Sequence, residues 1–182
     1  MRPQDHPEYF QLSPPEGRSR ESTIVLDAEG RFFHHGEQVR HPGMARAFAS
    51  WIELHPDDGR FILNNGYDWS YFRVEDVAFF VLGLREEAGA LKLQLSDGSE
   101  SELEPASLEL GAQGALYTQV KNGKFRARFM PSAQTALAPW LVSDEIGRFF
   151  LEIAGQRHAL GNLRQAVIEA PGDESPSSGS AF

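Results

Sequence analysis

The stretch from Gly59 to Val81, GRFILNNGYDWSYFRVEDVAFFV, constrains the fold more than any other part of the chain. It holds seven aromatic residues and two apolar runs of strand length, one on each side of a polar centre. Strands are therefore expected over 60–64 and 69–76. The polar centre, Asp68-Trp69-Ser70-Tyr71-Phe72-Arg73-Val74-Glu75-Asp76, is the densest set of functional side chains in the sequence. On a regular strand Trp69, Tyr71, Arg73 and Glu75 share one face. Asp76 points to the other, which weakens a paired-carboxylate mechanism.

Strand signals dominate the surroundings. Thr23–Leu26, the turn Asp27-Ala28-Glu29-Gly30 and Arg31–His35 read as a hairpin. Pro42 opens a helix expected over 42–54, carrying Met44, Phe48, Trp51 and Ile52 at helical spacing. Val77–Arg85 and Ala90–Ser96 pair across Glu86–Gly89, and 97–114 is loop-like with a short edge strand at Leu108–Leu110. The clearest hairpin turns at Asn122-Gly123, because both positions of such a turn need positive φ. That places Val120 opposite Phe125, Gln119 opposite Arg126 and Tyr117 opposite Arg128. A helix over 131–141 is interrupted at Pro139. A last hairpin turns at Ala154-Gly155, and Asn162 caps a final helix with Leu163, Ala166, Val167 and Ala170.

Two blocks of the chain align. Gly30-Arg31-Phe32, Pro42, Ala47-Phe48-Ala49, Trp51-Ile52 and Gly59-Arg60-Phe61 match Gly123-Lys124-Phe125, Pro131, Ala136-Leu137-Ala138, Trp140-Leu141 and Gly147-Arg148-Phe149. The spacing from each Pro to its Trp is the same. The expected class is α+β, with two related antiparallel sheet-plus-helix units produced by internal duplication. The parts are an extended lead-in over 1–21, a first unit over 22–75, a second over 76–170 and a disordered Ser/Gly/Pro-rich tail over 171–182. A seam between two such units is where a ligand is expected.

Composition removes several function classes. The 182 residues include no cysteine, which excludes disulfides and thiol catalysis. A formal charge of −9 argues against a nucleic-acid polymer as partner. No apolar run is long enough to span a bilayer, and MRPQDHPEYF does not read as a signal peptide, so cytoplasmic residence is expected. No Gly-rich phosphate loop or nucleophile elbow is present. His34-His35 with His41 invites a metal reading, but neighbouring strand histidines diverge and the spacing matches no common site. Neither metal nor cofactor is expected.

One basic row stands out in this acidic chain. Lys121, Lys124, Arg126 and Arg128 alternate along the second hairpin with Tyr117 on the same face. Arginines grip phosphate or carboxylate in bidentate fashion, so the row suggests an anion site. A solvated face, with Arg128 over Tyr117 and the rest paired to the abundant acids, is the more ordinary account of such a row.

The chain resembles the bacterial domain-of-unknown-function family 1285 from Pro14-Pro15-Glu16 to about Gly161. The resemblance rests on Asp27-Ala28-Glu29-Gly30 leading to Phe33-His34, on Phe48-Ala49-Ser50 and on Val74-Glu75-Asp76-Val77-Ala78-Phe79. Phe125-Arg126-Ala127-Arg128-Phe129 and Gly147-Arg148-Phe149-Phe150 also fit. It implies a duplicated α+β core, a second half like a pleckstrin-homology domain, a nucleotide-like ligand at the domain interface and a signalling role. Asn65-Gly66-Tyr67-Asp68-Trp69 stands where the family often has Thr-Pro-x-Glu, so the ligand is expected to differ.

Together these readings predict a non-enzymatic ligand-sensing module with its site at the seam. Arg126 and Arg128, with Lys124, would meet anionic oxygens, and Trp69, Tyr71 or Tyr117 would supply aromatic surface. Glu75 or Asp76 would accept from a sugar or amine, beside Asp68 and Arg73. The alternative is a protein–protein scaffold using the aromatic strand face.

Overall fold

A computed structural model describes residues 2–146 and 148–160. Gly147, the helix expected after Asn162 and the tail from Pro171 lie outside the described residues. The chain enters through two short 3-10 turns, Pro3–Asp5 and Tyr9–Gln11. A meander of β1 (Glu21–Leu26), β2 (Phe32–His34) and β3 (Glu37–Gln38) leads to helix α1 (Pro42–Ser50). A second meander follows, made of β4 (Ile52–Leu54), β5 (Phe61–Asn64) and β6 (Trp69–Val74). The two join as one six-stranded sheet in the order β3-β2-β1-β6-β5-β4.

The second sheet has the same plan. Its first meander is β7 (Phe79–Glu87), β8 (Ala90–Leu95) and β9 (Glu100–Glu102). Its second is β10 (Glu109–Leu110), β11 (Leu116–Val120) and β12 (Phe125–Phe129), and the order is β10-β11-β12-β7-β8-β9. In each sheet the first strand of one meander lies parallel to the last strand of the other: β1 with β6, and β7 with β12. The sheets are thus not purely antiparallel as expected. A parallel pair needs a long crossover, and the chain between the paired strands supplies it in both cases. Helix α2 (Pro131–Leu137) and a 3-10 turn at Ala138–Trp140 then lead to β13 (Leu141–Ser143), β14 (Phe149–Ile153) and β15 (Gln156–Ala159), a separate antiparallel sheet.

Local chemistry explains most boundaries. Pro42 occupies the first helical position of α1, and the His41 ring accepts from the Met44 N–H at 3.3 Å. The helix stops at Ser50, four residues short of expectation. Trp51 leaves helical geometry at φ −95°, ψ 0°, and Ile52 and Leu54 pair with Leu63 and Phe61. Sheet pairing of two apolar side chains outweighs a helical spacing that continues past them. The β11–β12 hairpin has the expected register, Val120 with Phe125 through Tyr117 with Arg128.

One hydrophobic cluster runs through both six-stranded sheets. It joins Leu26, Phe32, Leu63 and Phe72 of the first to Phe79, Val81, Leu93 and Phe129 of the second. The β1–β2 turn forms the joint between them. Asp27 accepts from the Glu29 and Arg31 N–H groups and from Arg31 Nε, which holds the turn rigid. Gly30 rests on the Phe80 ring at φ +81°, and a Cβ there would lie 3.1 Å from the ring. Asp144 caps the β13–β14 turn in the same way, accepting from the Ile146 and Arg148 N–H groups and from Arg148 Nε.

A second, smaller cluster fastens the lead-in. Tyr9 is 2% exposed and packs with Ile62 and Trp69, and its hydroxyl donates to Asn64 Oδ1 at 2.9 Å. Phe10 packs beside it, while Leu12 is exposed.

Candidate functional site

Four of the ten predicted site residues meet at the joint between the sheets. The Tyr117 hydroxyl donates to Asp76 Oδ2 at 3.0 Å, and Arg128 Nη1 reaches the same oxygen at 3.4 Å. Arg128 Nη1 also donates to the Ala28 carbonyl at 3.1 Å, which ties β12 to the β1–β2 turn. Arg126, not Arg128, covers the Tyr117 ring, at 3.8 Å, and it pairs with Glu109 at 3.2 Å. Burial, then the Asp76 hydrogen bond, pushes the Tyr117 hydroxyl pKa upward. Gly111 permits this packing, since a Cβ there would lie 2.5 Å from the Tyr117 ring. Each arginine already has its carboxylate, so the joint is electrostatically closed.

The other six sites lie elsewhere. Trp69 to Val74 is one strand, about 17 Å long at 3.3 to 3.4 Å per residue, so Asp68 and Asp76 cannot grip one small ligand. Asp68 takes a 2.5 Å ion pair from Arg20, whose guanidinium lies 4.3 Å from the Trp69 ring centroid. Trp69 is 5% exposed and hence not open for stacking. Tyr71 lies under the Arg60 guanidinium at 3.7 Å and donates to Asp58 at 2.7 Å. Burial, reinforced by Asp58, raises the Tyr71 pKa. Arg73 and Glu75 form an exposed pair at 3.3 Å, and Lys124 is exposed over Phe125.

The concave site lies on the other side of the first sheet's centre, between β1, β2, α1 and the lead-in. It is a cleft of about 600 Å³, against 290 to 390 Å³ for three others. Ile24, Phe48, Trp51 and Leu63 give it apolar lining, and Arg18, His34 and His35 lie among its ionisable residues. Arg20 and Asp68 line it too but are committed to each other. Glu21 is likewise bound by Arg60, and those hydrogen bonds hold its carboxyl below the ordinary range. Among the described residues Arg18, which also lines the cleft, makes no ion pair.

The histidine pair is the part that sequence reasoning misjudged. Strand β2 ends at His34, and His35 and Gly36 form the two-residue turn into β3 at φ +51° and +80°. His35 is therefore outside the alternating geometry that would send the two rings apart. Their centroids lie 4.2 Å apart. A turn at Gly36 is legible in the sequence; what it does not show is that His35 takes the first positive-φ position of that turn and so leaves the strand. Among the described residues no group of three His, Asp or Glu side chains is placed to hold a metal.

No family model matches the sequence, and no curated protein matches it. Two solved structures share its fold. A DUF1285 family protein from Silicibacter pomeroyi DSS-3 superposes with a TM-score of 0.61 at 20% identity, covering 79% of this chain and 81% of that one. A DUF1285 family protein from Shewanella baltica OS155 gives 0.53 at 16% identity, covering 66% and 94%. The chain thus has a DUF1285-like fold, and the expected resemblance is borne out at that level. No helix among the described residues is long and apolar enough to cross a membrane.

Proposed function

We propose that the chain is a non-catalytic binding module, with its ligand in the cleft beneath the lead-in. The observation that carries this reading is a cleft in which apolar side chains stand with a histidine pair and with Arg18, which makes no ion pair among the described residues. Such a site suits a small molecule with a flat apolar part and an anionic group, a nucleotide-like ligand included. The volume lies within the range of small-molecule sites. The ionisable groups elsewhere support a non-catalytic role. Hydrogen bonds and ion pairs hold Asp58, Asp97, Glu100 and Asp144 low, and burial raises Tyr9, Tyr71 and Tyr117. These shifts run away from neutrality, whereas a general acid or base works best when tuned toward it.

The joint of Asp76, Tyr117, Arg126 and Arg128 then serves to couple the two sheets, and a signalling role would use that coupling. We read the two sheets as a duplication, supported by their common strand plan. A pleckstrin-homology-like second half is compatible with its meanders, though the β7–β12 parallel pair departs from an all-antiparallel plan.

Thermal-shift measurements with adenosine monophosphate, phenyl phosphate and benzoate test the reading. At least one probe should raise Tm, Arg18→Ala should remove the rise, and Arg128→Ala should leave it. The reverse pattern would return the site to the joint, and no response to any probe would overturn the proposal. The scaffold reading draws on a different observation, the apolar groove where Leu26, Phe32 and Ala49 meet Phe80 and half-exposed Leu82. It predicts self-association by light scattering that Leu82→Asp abolishes.

A further inference from the structure

We infer that the His34–His35 pair makes this cleft a proton-coupled anion subsite: anion binding there takes up a proton. The inference rests on the cleft reading above and adds the chemistry of its polar end. Both imidazoles are exposed, both line the cleft, and their centroids are 4.2 Å apart. Histidine is the side chain whose charge ordinarily changes between about pH 5 and 8. An anion held by the rings and Arg18 favours the protonated form of each histidine.

The surrounding charges do not take the anion's place. From the lead-in come Arg18 and Arg20, from β1 Glu21, from β3 Glu37 opposite His34, and from β6 Asp68. Arg20 and Asp68 neutralise each other, Glu21 is bound to Arg60, and Glu37 makes no ion pair with either histidine among the described residues. Helix α1 contributes Phe48, and Trp51 follows it, neither of them charged. The turn geometry keeps the pair together: the His35 N–H donates to Thr23 Oγ1 at 3.3 Å, anchoring the β2–β3 turn to β1. The ligand class that follows is an aryl or nucleoside phosphate, sulfonate or carboxylate, its ring over Phe48 and Trp51 and its oxyanion toward Arg18 and the histidines.

Isothermal titration of the full chain with benzenesulfonate tests this, because that probe keeps one charge across the range. Binding should be about tenfold tighter near pH 5.5 than near pH 8, the effect of a ligand-induced change of about one pK unit. The heat should also depend on the buffer's ionisation enthalpy, reporting proton uptake. His35→Asn, which tolerates the left-handed turn, and His34→Gln should each weaken the pH dependence while leaving Tm within a few degrees. Binding without proton uptake, or an unchanged pH profile in both variants, overturns the inference. If benzenesulfonate fails to bind while phenyl phosphate still raises Tm, the cleft reading stands and the inference falls. If neither probe binds, both fall.

Discussion

At the residue scale, Gly30 and Asp97 carry more of the structure than their size suggests. Gly30 combines φ +81° with a ring contact that a Cβ would crowd at 3.1 Å. Gly30→Ala should therefore cost about 1 to 3 kcal/mol, read from the urea midpoint, through backbone strain and displacement of Phe80. A change below a few tenths would show that the turn can shift off Phe80 freely. Asp97 is a half-buried counterion. Burial alone would raise its pKa, but Lys121 at 2.7 Å and the Ser99 hydroxyl and N–H hold it below the ordinary carboxylate range. A carboxyl with a depressed folded pKa adds stability above its unfolded value, near 3.9, and loses it as pH falls through the folded value. Asp97→Asn should lower stability by about 2 kcal/mol at neutral pH and by much less near pH 2. An equal loss at both pH values would sink the ion-pair account.

At the element scale, the lead-in is held as a docked strap, not as a strand of either sheet. Tyr9 reaches Asn64, Trp69 Nε1 reaches the Tyr9 carbonyl at 3.4 Å, and Arg20 ties Leu12, Asp68 and the Trp69 carbonyl together. Tyr9→Ala should cost about 3 kcal/mol and expose the face of Trp69. In a chain lacking Trp51 and Trp140, the emission of Trp69 should then move to the red, and trypsin should cut faster at Arg18. Unchanged emission would mean that the rest of the lead-in covers Trp69 without Tyr9. The strap also walls the cleft, so the same variant should weaken binding of any cleft ligand.

At the scale of the whole molecule, the two sheets share one core and one polar joint. The shared cluster predicts a single cooperative unfolding transition, with calorimetric and van't Hoff enthalpies equal. Two resolved transitions would show that the sheets are separate cooperative units. Arg128→Ala removes the bonds to the Ala28 carbonyl and to Asp76, and it leaves Asp76 with Tyr117 alone. The expected cost is about 2 kcal/mol, and it should appear as reduced hydrogen-exchange protection in β12 and in the 27–31 turn together.

Much of this was readable from local chemistry. The Asn122-Gly123 hairpin and its register, the Pro42 start of α1, the break at Pro139 and the turn at Ala154-Gly155 all follow from φ preferences and proline geometry. The meeting of Asp76 with Arg128, 52 residues apart, was not: it depends on the parallel pairing of β12 with β7. The helix that ends at Ser50, the parallel centre of each sheet and the dispersal of Asp68, Tyr71 and Arg73 depend on which strands pair across long separations. Alternation says which side chains share a face, but not what covers that face. The cleft is the clearest case: its lining comes from the lead-in, β1, β2, α1, β5 and β6, and no one of these segments carries the site alone. The residues were all visible in the chain; long-range strand pairing and the docked lead-in decided which of them stand together.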